Sequence, residues 1–146
     1  MLLKHKVDLT VGTDAYTAAD VVGGLITLGI GGTDARPVTV KHIVITDEAA
    51  QAEKYHVYFF NADPSATCDT DDDAFAPVAA DADKMLWVEY IADSDYITVT
   101  GVQSTACVSP NVTLETTTNL YAVLVAVETP DYAAATDVNV TFYLEV

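Results

Sequence analysis

Residues 36–61 read RPVTVKHIVITDEAAQAEKYHVYFFN. This stretch contains two apolar runs, Val38–Thr46 and Tyr55–Phe60, on either side of a polar insert, Asp47–Lys54. Val, Ile, Thr, Tyr and Phe dominate both runs, and branched or aromatic side chains suit a pleated, half-buried surface. The stretch therefore predicts a β-hairpin or a pair of neighbouring strands at the centre of an all-β domain. The insert is expected to form one helical turn or a polar loop at the surface.

The first run has apolar side chains at both odd and even positions. Successive residues of a strand point to opposite faces, so Val38, Val40 and Val44 fall on one side of the strand. Ile43 and Ile45 fall on the other side. This pattern predicts a strand that is covered on both faces, by a second sheet and by a loop or a neighbouring subunit.

Similar runs continue along the chain. Lys6–Val11 and Val138–Val146 alternate polar and apolar residues, which predicts strands with one buried face. Leu120–Glu128 is nearly all apolar and predicts a central strand covered on both faces. Two further strands are predicted at Leu86–Ala92 and Tyr96–Thr100. With eight to ten short strands and no long helix, residues 1–146 are expected to form a single antiparallel β-sandwich domain.

Two glycine-rich segments lie between the first strands. The pair Gly23-Gly24 stands inside an apolar run, where a glycine pair usually marks a bulge or a close backbone approach. The segment Gly29–Gly32 is followed by a Pro and a strand. A phosphate-binding loop requires a helix directly after it, so this segment predicts a connecting loop and not a nucleotide site.

The charge of the chain is strongly one-sided. Among 146 residues there are 22 Asp and Glu against 6 Lys and Arg, for a net charge of −16, and no Lys or Arg follows Lys84. Such a field repels phosphate backbones and anionic membranes, which argues against nucleic acid or membrane as partners. The N-terminal residues do not resemble a signal peptide, and no apolar run approaches the ~20 residues of a membrane helix. We therefore expect a soluble chain that is made in the cytoplasm.

The cysteines and histidines do not form a recognisable site. Cys68 and Cys107 match neither a zinc site nor a CxxC motif, so buried free thiols are expected, with a disulfide between them as the alternative. His42 lies in a strand, where a hydrogen-bonded histidine near the core is expected. His56 could face it from a partner strand, but a third metal ligand is not evident.

An acidic cluster lies in the longest stretch without a predicted strand, Asn61–Asp83. Asp69, Asp71 and Asp73 match the first three ligand positions of a calcium loop, but the Gly and the Glu that such a loop requires are missing. A solvated acidic loop is therefore expected, with a weak calcium or magnesium site as the alternative. Farther along, residues 77–84 predict a short helix with Asp81 and Asp83 exposed.

No catalytic arrangement is visible in the sequence. Only His5, His42 and His56 are available as imidazole bases, and neither G-x-S-x-G nor a metal-protease motif occurs. Trp87 and Tyr90 are not expected to form a sugar-stacking platform, because their spacing places them on opposite faces of a strand. We expect no enzyme activity, no cofactor, no metal and no catalytic residues.

Several motifs occur in an order that resembles a known family. The residues concerned are Val7–Thr10, Ala15-Tyr16-Thr17-Ala18-Ala19-Asp20-Val21-Val22-Gly23-Gly24, His42–Asp47, Tyr58–Pro64 and Thr129-Pro130-Asp131-Tyr132-Ala133. In this order, over about residues 6–146, the chain resembles the small virion proteins of tailed bacteriophages, of the capsid decoration (cement) or head-surface type. It departs from that family at Glu128, where members often carry Gly before the late Thr-Pro.

The resemblance implies a jelly-roll-like β-sandwich on the outer surface of a phage head. The implied partners are the major capsid protein and further copies of the chain, commonly as a trimer. The implied location is the capsid surface of the virion, after assembly in the host cytoplasm. The alternative function is a carbohydrate-binding or adhesive module on a particle surface, for which Tyr16, Tyr132 and Tyr143 are the candidate aromatic residues.

Overall fold

The computed structural model describes residues 1–99 and 101–146, which contain ten strands, two short α-helices and one 3-10 turn. The strands are β1 (Leu2–Asp8), β2 (Val21–Gly29), β3 (Arg36–Asp47), β4 (Tyr55–Phe60), β5 (Met85–Ile91), β6 (Tyr96–Val99), β7 (Gln103–Val108), β8 (Val112–Thr116), β9 (Asn119–Ala126) and β10 (Val138–Glu145). The helices are α1 (Ala66–Asp69) and α2 (Ala79–Ala82), and the 3-10 turn is Asp93–Asp95. No helix of the described residues is long and apolar enough to cross a membrane.

The strands form two antiparallel sheets, which confirms the predicted all-β sandwich. The first sheet has the order β1-β10-β3-β7-β6, with β8 also paired to β3. The second sheet has the order β2-β9-β4-β5. The pairs β1·β10, β2·β9, β3·β7/β8 and β4·β5 are nested within one another along the sequence. The chain thus runs as one long antiparallel hairpin that is rolled into two layers.

The predicted hairpin between the two central runs is wrong. β3 belongs to the first sheet and β4 to the second, so the segment between them crosses from one layer to the other. The buried carboxylate of Asp47 turns the chain, because it accepts hydrogen bonds from the backbone N–H groups of Ala49 and Gln51 at 2.8 Å each. Positive φ angles at Ala50 and Ala52 continue the turn. The insert is a loop without a helical turn, which is the second of the two predicted forms, and its residues 49–54 are half-buried.

The predicted distribution of side chains in β3 is also wrong, because a β-bulge changes the alternation. Tyr143 of β10 pairs with His42, and Leu144 pairs with Val40, which leaves Lys41 as the extra residue. Two residues on one strand then oppose one on the other, and the phase of the strand shifts. Val40 and Ile43 consequently face the same way, and both are fully buried between the sheets.

Strand β9 is covered on both faces, as predicted. Leu120, Ala122 and Leu124 belong to the main core between the two sheets. Val123 and Val125 point to the outer face of the second sheet, where they form a smaller buried cluster with Val21 and Phe60. Phe75, from the segment between β4 and β5, packs against this cluster. The near-continuous apolar sequence of β9 is thus explained by two separate cores.

The glycine pair of β2 forms the predicted bulge. The register with β9 shifts between Val22 and Leu25, and Gly23 and Gly24 both have positive φ. A Cβ atom on Gly23 would lie 2.8 Å from the Cβ of Leu9. The bulge therefore allows the backbone of β2 to approach the segment that follows β1.

The bounds of several predicted strands differ from the structure by one or two residues, and those of the first strand differ by more. The first strand covers Leu2–Asp8 and not Lys6–Val11, although Leu9 and Val11 continue its inward face and are buried. The strand predicted at Tyr96–Thr100 corresponds to β6, which is described as far as Val99. Its last predicted residue, Thr100, lies outside the described residues.

Candidate functional site

A cluster of three buried tyrosines joins the loops at one end of the sandwich. The rings of Tyr16 and Tyr132 meet edge to face with 6.0 Å between their centroids. The hydroxyl group of Tyr132 is hydrogen-bonded to that of Tyr55. Burial raises the pKa of Tyr16 and of Tyr132. Tyr16 and Tyr132 are thus core residues, and their prediction as candidates for sugar binding is wrong because no ring face is available to a ligand.

The acidic loop serves mainly to hold β2. The hydroxyl of Tyr16 donates to Asp71 Oδ1 at 2.8 Å, and the N–H of Gly23 donates to the same oxygen at 2.6 Å. The backbone of Asp72 and Asp73 pairs with Val21 through two further hydrogen bonds of 2.9 Å. Among residues 1–99 and 101–146, no group of three or more His, Cys, Asp or Glu side chains could hold a metal ion. The loop is therefore a structural clasp on the edge of the second sheet.

Asp81 was predicted to be exposed, and this prediction is wrong. Its carboxylate is fully buried and accepts hydrogen bonds from Ser65 Oγ at 2.6 Å, Ser65 N at 2.8 Å and Val78 N at 3.0 Å. These bonds favour the charged form, so the pKa of Asp81 lies well below its usual range. The Cys68 thiol donates to the same carboxylate at 3.4 Å, which places it in this buried network. Sequence reasoning missed Asp81 because nothing in residues 77–84 indicates which of the two acidic side chains turns inward.

The two cysteines are free, so the disulfide alternative is wrong. Cys68 is buried, as predicted, and burial raises the pKa of its thiol. Cys107 is exposed, contrary to prediction, because it points outward from β7.

The two central histidines lie in different sheets and do not face each other. His42 is exposed on β3, with its Nδ1 hydrogen-bonded to Ser109 Oγ at 2.8 Å. His56 of β4 contacts the ring of Tyr90. Their predicted proximity is wrong because it depended on pairing between β3 and β4, which does not occur.

The outer face of the first sheet carries no net charge, and we call it the first-sheet face. It comprises the outward-pointing residues of β1, β3, β6, β7, β8 and β10. Its charged side chains are Lys4, Lys6, Lys41, Asp8, Glu115 and Glu145. Three of the 22 acids and three of the 6 bases therefore lie here, which leaves 19 acids and 3 bases elsewhere. The whole net charge of −16 thus belongs to the rest of the molecule.

The first-sheet face also carries apolar and uncharged polar side chains that are accessible to solvent. Ile97 and Val99 project from β6, and the side chain of Ile97 is 78% exposed. Tyr143 is half-buried near the middle of the face, where its ring lies between His42 and the ammonium group of Lys4. A broad surface with this composition suits contact with another protein.

A row of aromatic rings lies on the outer face of the second sheet, and we call it the aromatic row. Its members are Phe75, Tyr58, His56 and Tyr90, whose successive ring centroids are 4.3, 6.1 and 5.3 Å apart. A groove of about 390 Å³ runs beside Phe75, Tyr58 and His56. The alternation of His56 and Tyr58 along β4 was a signal for this row that the sequence reasoning did not use.

Trp87 is not part of the aromatic row. Strand register pairs Trp87 with the core residue Phe59, whereas Tyr90 pairs with His56 on the outer face. The prediction that Trp87 and Tyr90 lie on opposite faces is therefore confirmed. The sequence predicts core or interface packing for Trp87. Core packing is wrong, because Trp87 is 42% exposed at the edge of the sheet, and interface packing stays a prediction.

Comparisons with known proteins do not place the chain in a family. No protein-family model matches it, and no curated protein sequence is significantly similar to it.

Proposed function

We propose that this chain is a structural protein of a tailed-phage virion, a capsid decoration or cement protein that binds the outer surface of the head and stabilises it. The observation that carries the proposal is the neutral first-sheet face on a molecule of net charge −16. Like charges brought together across an interface cost several kcal/mol. An acidic protein that packs against a shell, or against its own copies, therefore needs a face without excess charge.

The motifs that resemble the phage proteins support this proposal through their positions. The N–H of Tyr16 donates to the carbonyl of Pro130 at 2.9 Å, so the early Ala-Tyr motif meets the late Thr-Pro motif. The carboxylate of Asp20 accepts hydrogen bonds from the backbone and side chain of Thr17. Residues of motifs that are far apart in the sequence thus stabilise the same end of the domain. This favours the view that the chain shares these motifs with the phage proteins because the motifs hold the same kind of fold together.

The nested strand pairs support the jelly-roll form of the sandwich. A jelly roll is a double-sheet arrangement of two Greek keys. Rolling one long hairpin brings its two outer strand pairs into different sheets, as β1·β10 and β2·β9 are here. The chain crosses between the two sheets in six segments, β1–β2, β2–β3, β3–β4, β5–β6, β8–β9 and β9–β10.

The proposed action of the protein is mechanical. Stable protein interfaces bury roughly 1,600 Å² in total, with about half from each partner. Such contact across the joints of a capsid lattice would resist outward pressure without any chemical step. The proposed partners are the major capsid protein and two further copies in a trimer, because cyclic oligomers match the local symmetry of a shell.

Cys107 offers a direct test, because it is an exposed thiol on the first-sheet face whereas Cys68 is buried. Heads of the phage that encodes the chain are incubated with the protein, sedimented, and treated with a maleimide. We expect binding to heads, and Cys107 alkylation at least ~10-fold slower on heads than in the free monomer, as expected for a thiol excluded from water. A Cys107→Ser variant is the control for labelling elsewhere. Failure to bind heads would contradict the proposed function, and unchanged labelling on heads would contradict the use of this face.

The oligomeric state is tested separately by sedimentation equilibrium. Three copies of the 15.5 kDa chain give a trimer of about 46 kDa. A trimer, in solution or on the head, is the expected result, and a different stoichiometry on the head would contradict it.

A carbohydrate-binding or adhesive module is the second candidate function, and the aromatic row favours it. Sugar rings stack on aromatic faces, and Tyr90 is exposed at the end of the row. The test is a glycan array with the wild-type protein and with Tyr90→Ala, using Tyr143→Ala on the first-sheet face as the matched control. Binding that is lost only with Tyr90→Ala would support this candidate, and an array without signal would contradict it.

A further inference from the structure

The edge strands of the two sheets are protected to different degrees. An unprotected edge presents unpaired N–H and C=O groups that can pair with another chain. β1 carries Lys4, Lys6 and Asp8, and charged side chains discourage such pairing. The edge of β2 is hydrogen-bonded to residues 71–73 and interrupted by its glycine bulge. β6 covers four residues, Tyr96–Val99, in the part of the chain that the structure describes.

β5 is less protected than these strands, since its register has one β-bulge, at Leu86, and its one charged residue is Glu89. It is seven residues long, with the sequence MLWVEYI, and contains no Lys, Pro or Gly. β4 pairs with one side of it, and within residues 1–99 and 101–146 no strand pairs with the other side. The backbone groups on that side are therefore free to accept a further strand.

A groove of about 470 Å³ follows this free edge. One wall is formed by Pro77, Val78, Ala79 and Ala82, at and around α2. The other wall is formed by four consecutive residues of β5, Met85–Val88. Met85 and Val88 pair with Phe60 and Tyr58 of the outer face, whereas Trp87 pairs with the core residue Phe59. A groove lined by residues of both faces lies along the edge of the strand and not on one face of the sheet.

The side chains along the groove are apolar and accessible to water. Val78 is 49% exposed, Trp87 42% and Val88 38%. Lys84 lies beside the groove but is engaged, since its ammonium group donates to the carbonyl of Asp63 at 2.8 Å. An occupant can therefore bury apolar side chains here in addition to making backbone hydrogen bonds.

Acidic residues lie at both ends of the strand. Asp83 comes two residues before β5 and Asp93 two residues after it, and both are exposed. Glu89 lies within the strand, and the chain contains no Lys or Arg from Met85 onward. The ammonium group of Lys84 lies 3.7 Å from the buried carboxylate of Asp81, which offsets its charge. The exposed charge around this edge is thus negative at each end of an apolar centre, which complements a segment with basic flanks.

We infer that β5 is a docking edge for an extended segment of a partner protein, which binds as a fifth strand of the second sheet. The segment has apolar residues at alternate positions, which fill the groove, and Lys or Arg on both sides of them. Backbone hydrogen bonds supply affinity in this mode of recognition, and pockets for alternate side chains supply specificity. The inference stands independently of the virion proposal, since it rests on β5 and α2 and not on the first-sheet face.

The test starts from a displayed library of random nine-residue peptides selected on the intact protein. The enriched peptide is then synthesised, and its affinity is measured for the wild type and for Trp87→Lys and Val88→Lys, which point to opposite faces of β5. We expect the enriched peptide to carry alternating apolar residues between basic ones. Its affinity for each of the two β5 variants should be at least ~10-fold weaker than its affinity for wild type. The matched control is Ile97→Lys on β6, which should change the affinity less than about twofold. Thermal unfolding verifies that all three variants are folded.

Hydrogen exchange distinguishes strand addition from simple binding in the groove. Only alternate backbone N–H groups of an edge strand point to its free side. The peptide should therefore protect alternate amides within residues 87–91, which follow the bulge at Leu86. An absence of enriched peptides, equal affinity for Trp87→Lys and wild type, or protection elsewhere would each overturn the inference. If self-association without peptide protects the same amides, the edge binds a second copy of the chain, and the inference of a partner segment is overturned.

Discussion

The two sheets of the sandwich differ in what lies on their outer faces. The first-sheet face is open and has no net charge, and its central strands turn alternate residues to solvent. The outer face of the second sheet has its own buried cluster around Phe60 and Val123, which Phe75 from the segment between β4 and β5 covers, and its exposed large hydrophobic side chains, Val88 and Tyr90, belong to β5. A sheet with one solvated face needs one set of apolar residues, whereas a sheet covered on both faces needs two. The difference shows which surface is built for stability and which remains available for contact.

Removal of a large side chain should distinguish the two faces most strongly. Phe60→Ala deletes a fully buried ring from the outer cluster of the second sheet. We expect a loss of about 3–5 kcal/mol in the free energy of unfolding, from lost burial and the cavity that remains. The matched change is Tyr143→Ala on the first-sheet face, where a half-buried ring should cost about 1 kcal/mol or less. Urea unfolding measures both, and equal losses would contradict the contrast between covered and open faces.

Glycine replacement should give a smaller difference between the two sheets. Gly23→Ala combines a φ of +78° with a Cβ placed 2.8 Å from the Cβ of Leu9. We expect a destabilisation of about 2–4 kcal/mol, since left-handed strain and overpacking add together. Gly101→Ala, in the turn between β6 and β7, has a similar φ of +72° but no atom within 4 Å of the new Cβ. It should cost only the strain, about 1–2 kcal/mol, and a larger loss for Gly101→Ala would refute this reasoning.

The pH dependence of stability should distinguish Asp81, in the segment between β4 and β5, from Asp47, at the start of the loop between β3 and β4. The pKa of Asp81 is lowered by its hydrogen bonds to Ser65 and Val78. Its ionised form therefore stabilises the fold above the unfolded pKa of about 3.9. This stabilisation is lost as the pH falls through the lower pKa of the folded state. Asp81→Asn should be less stable than wild type at pH 7, and the gap should narrow as the solution is acidified below about pH 4.

Asp47 should behave in the opposite way. Burial raises the pKa of its carboxyl group, although the backbone N–H groups that donate hydrogen bonds to it act in the other direction. Its ionisation costs stability above the folded pKa, and protonation restores that stability as the pH falls. We expect wild type to be more stable than Asp47→Asn, and this difference in the free energy of unfolding should therefore increase as the pH falls. Urea midpoints measured between pH 7 and pH 3 test both variants, and parallel pH profiles would contradict the two opposite shifts.

Much of the fold was accessible from the sequence because the pattern within single strands is a local property. The continuous apolar run of β9 predicted a strand covered on both faces, and Gly23-Gly24 predicted a bulge. The pairing of strands was not accessible in the same way. The bulge at Lys41 arises from the register with Tyr143 and Leu144, which lie about a hundred residues away. The eight-residue insert Asp47–Lys54 fits a hairpin and a crossing between sheets equally well.

The candidate surfaces were harder to predict than the strands. Tyr16 and Tyr132 looked available for binding because aromatic residues in loops are often exposed, but packing against each other buried them. The aromatic row requires β4 and β5 to be neighbours, and the neutral first-sheet face requires the alignment of six strands. Charge and aromatic content are visible in a sequence, but their distribution over a surface depends on pairings between distant strands.

The nested strand order has a consequence for how the chain reaches its native state during synthesis. The register of the outermost pair joins Leu2 to Glu145, so β1 has no partner until β10 has been made. The innermost pair, β4·β5, is complete when barely two thirds of the chain has left the ribosome. Contacts between residues so far apart in sequence are associated with slow folding. We therefore expect the second sheet to begin forming first and β1 to wait, with the charges of Lys4, Lys6 and Asp8 limiting aggregation in that interval.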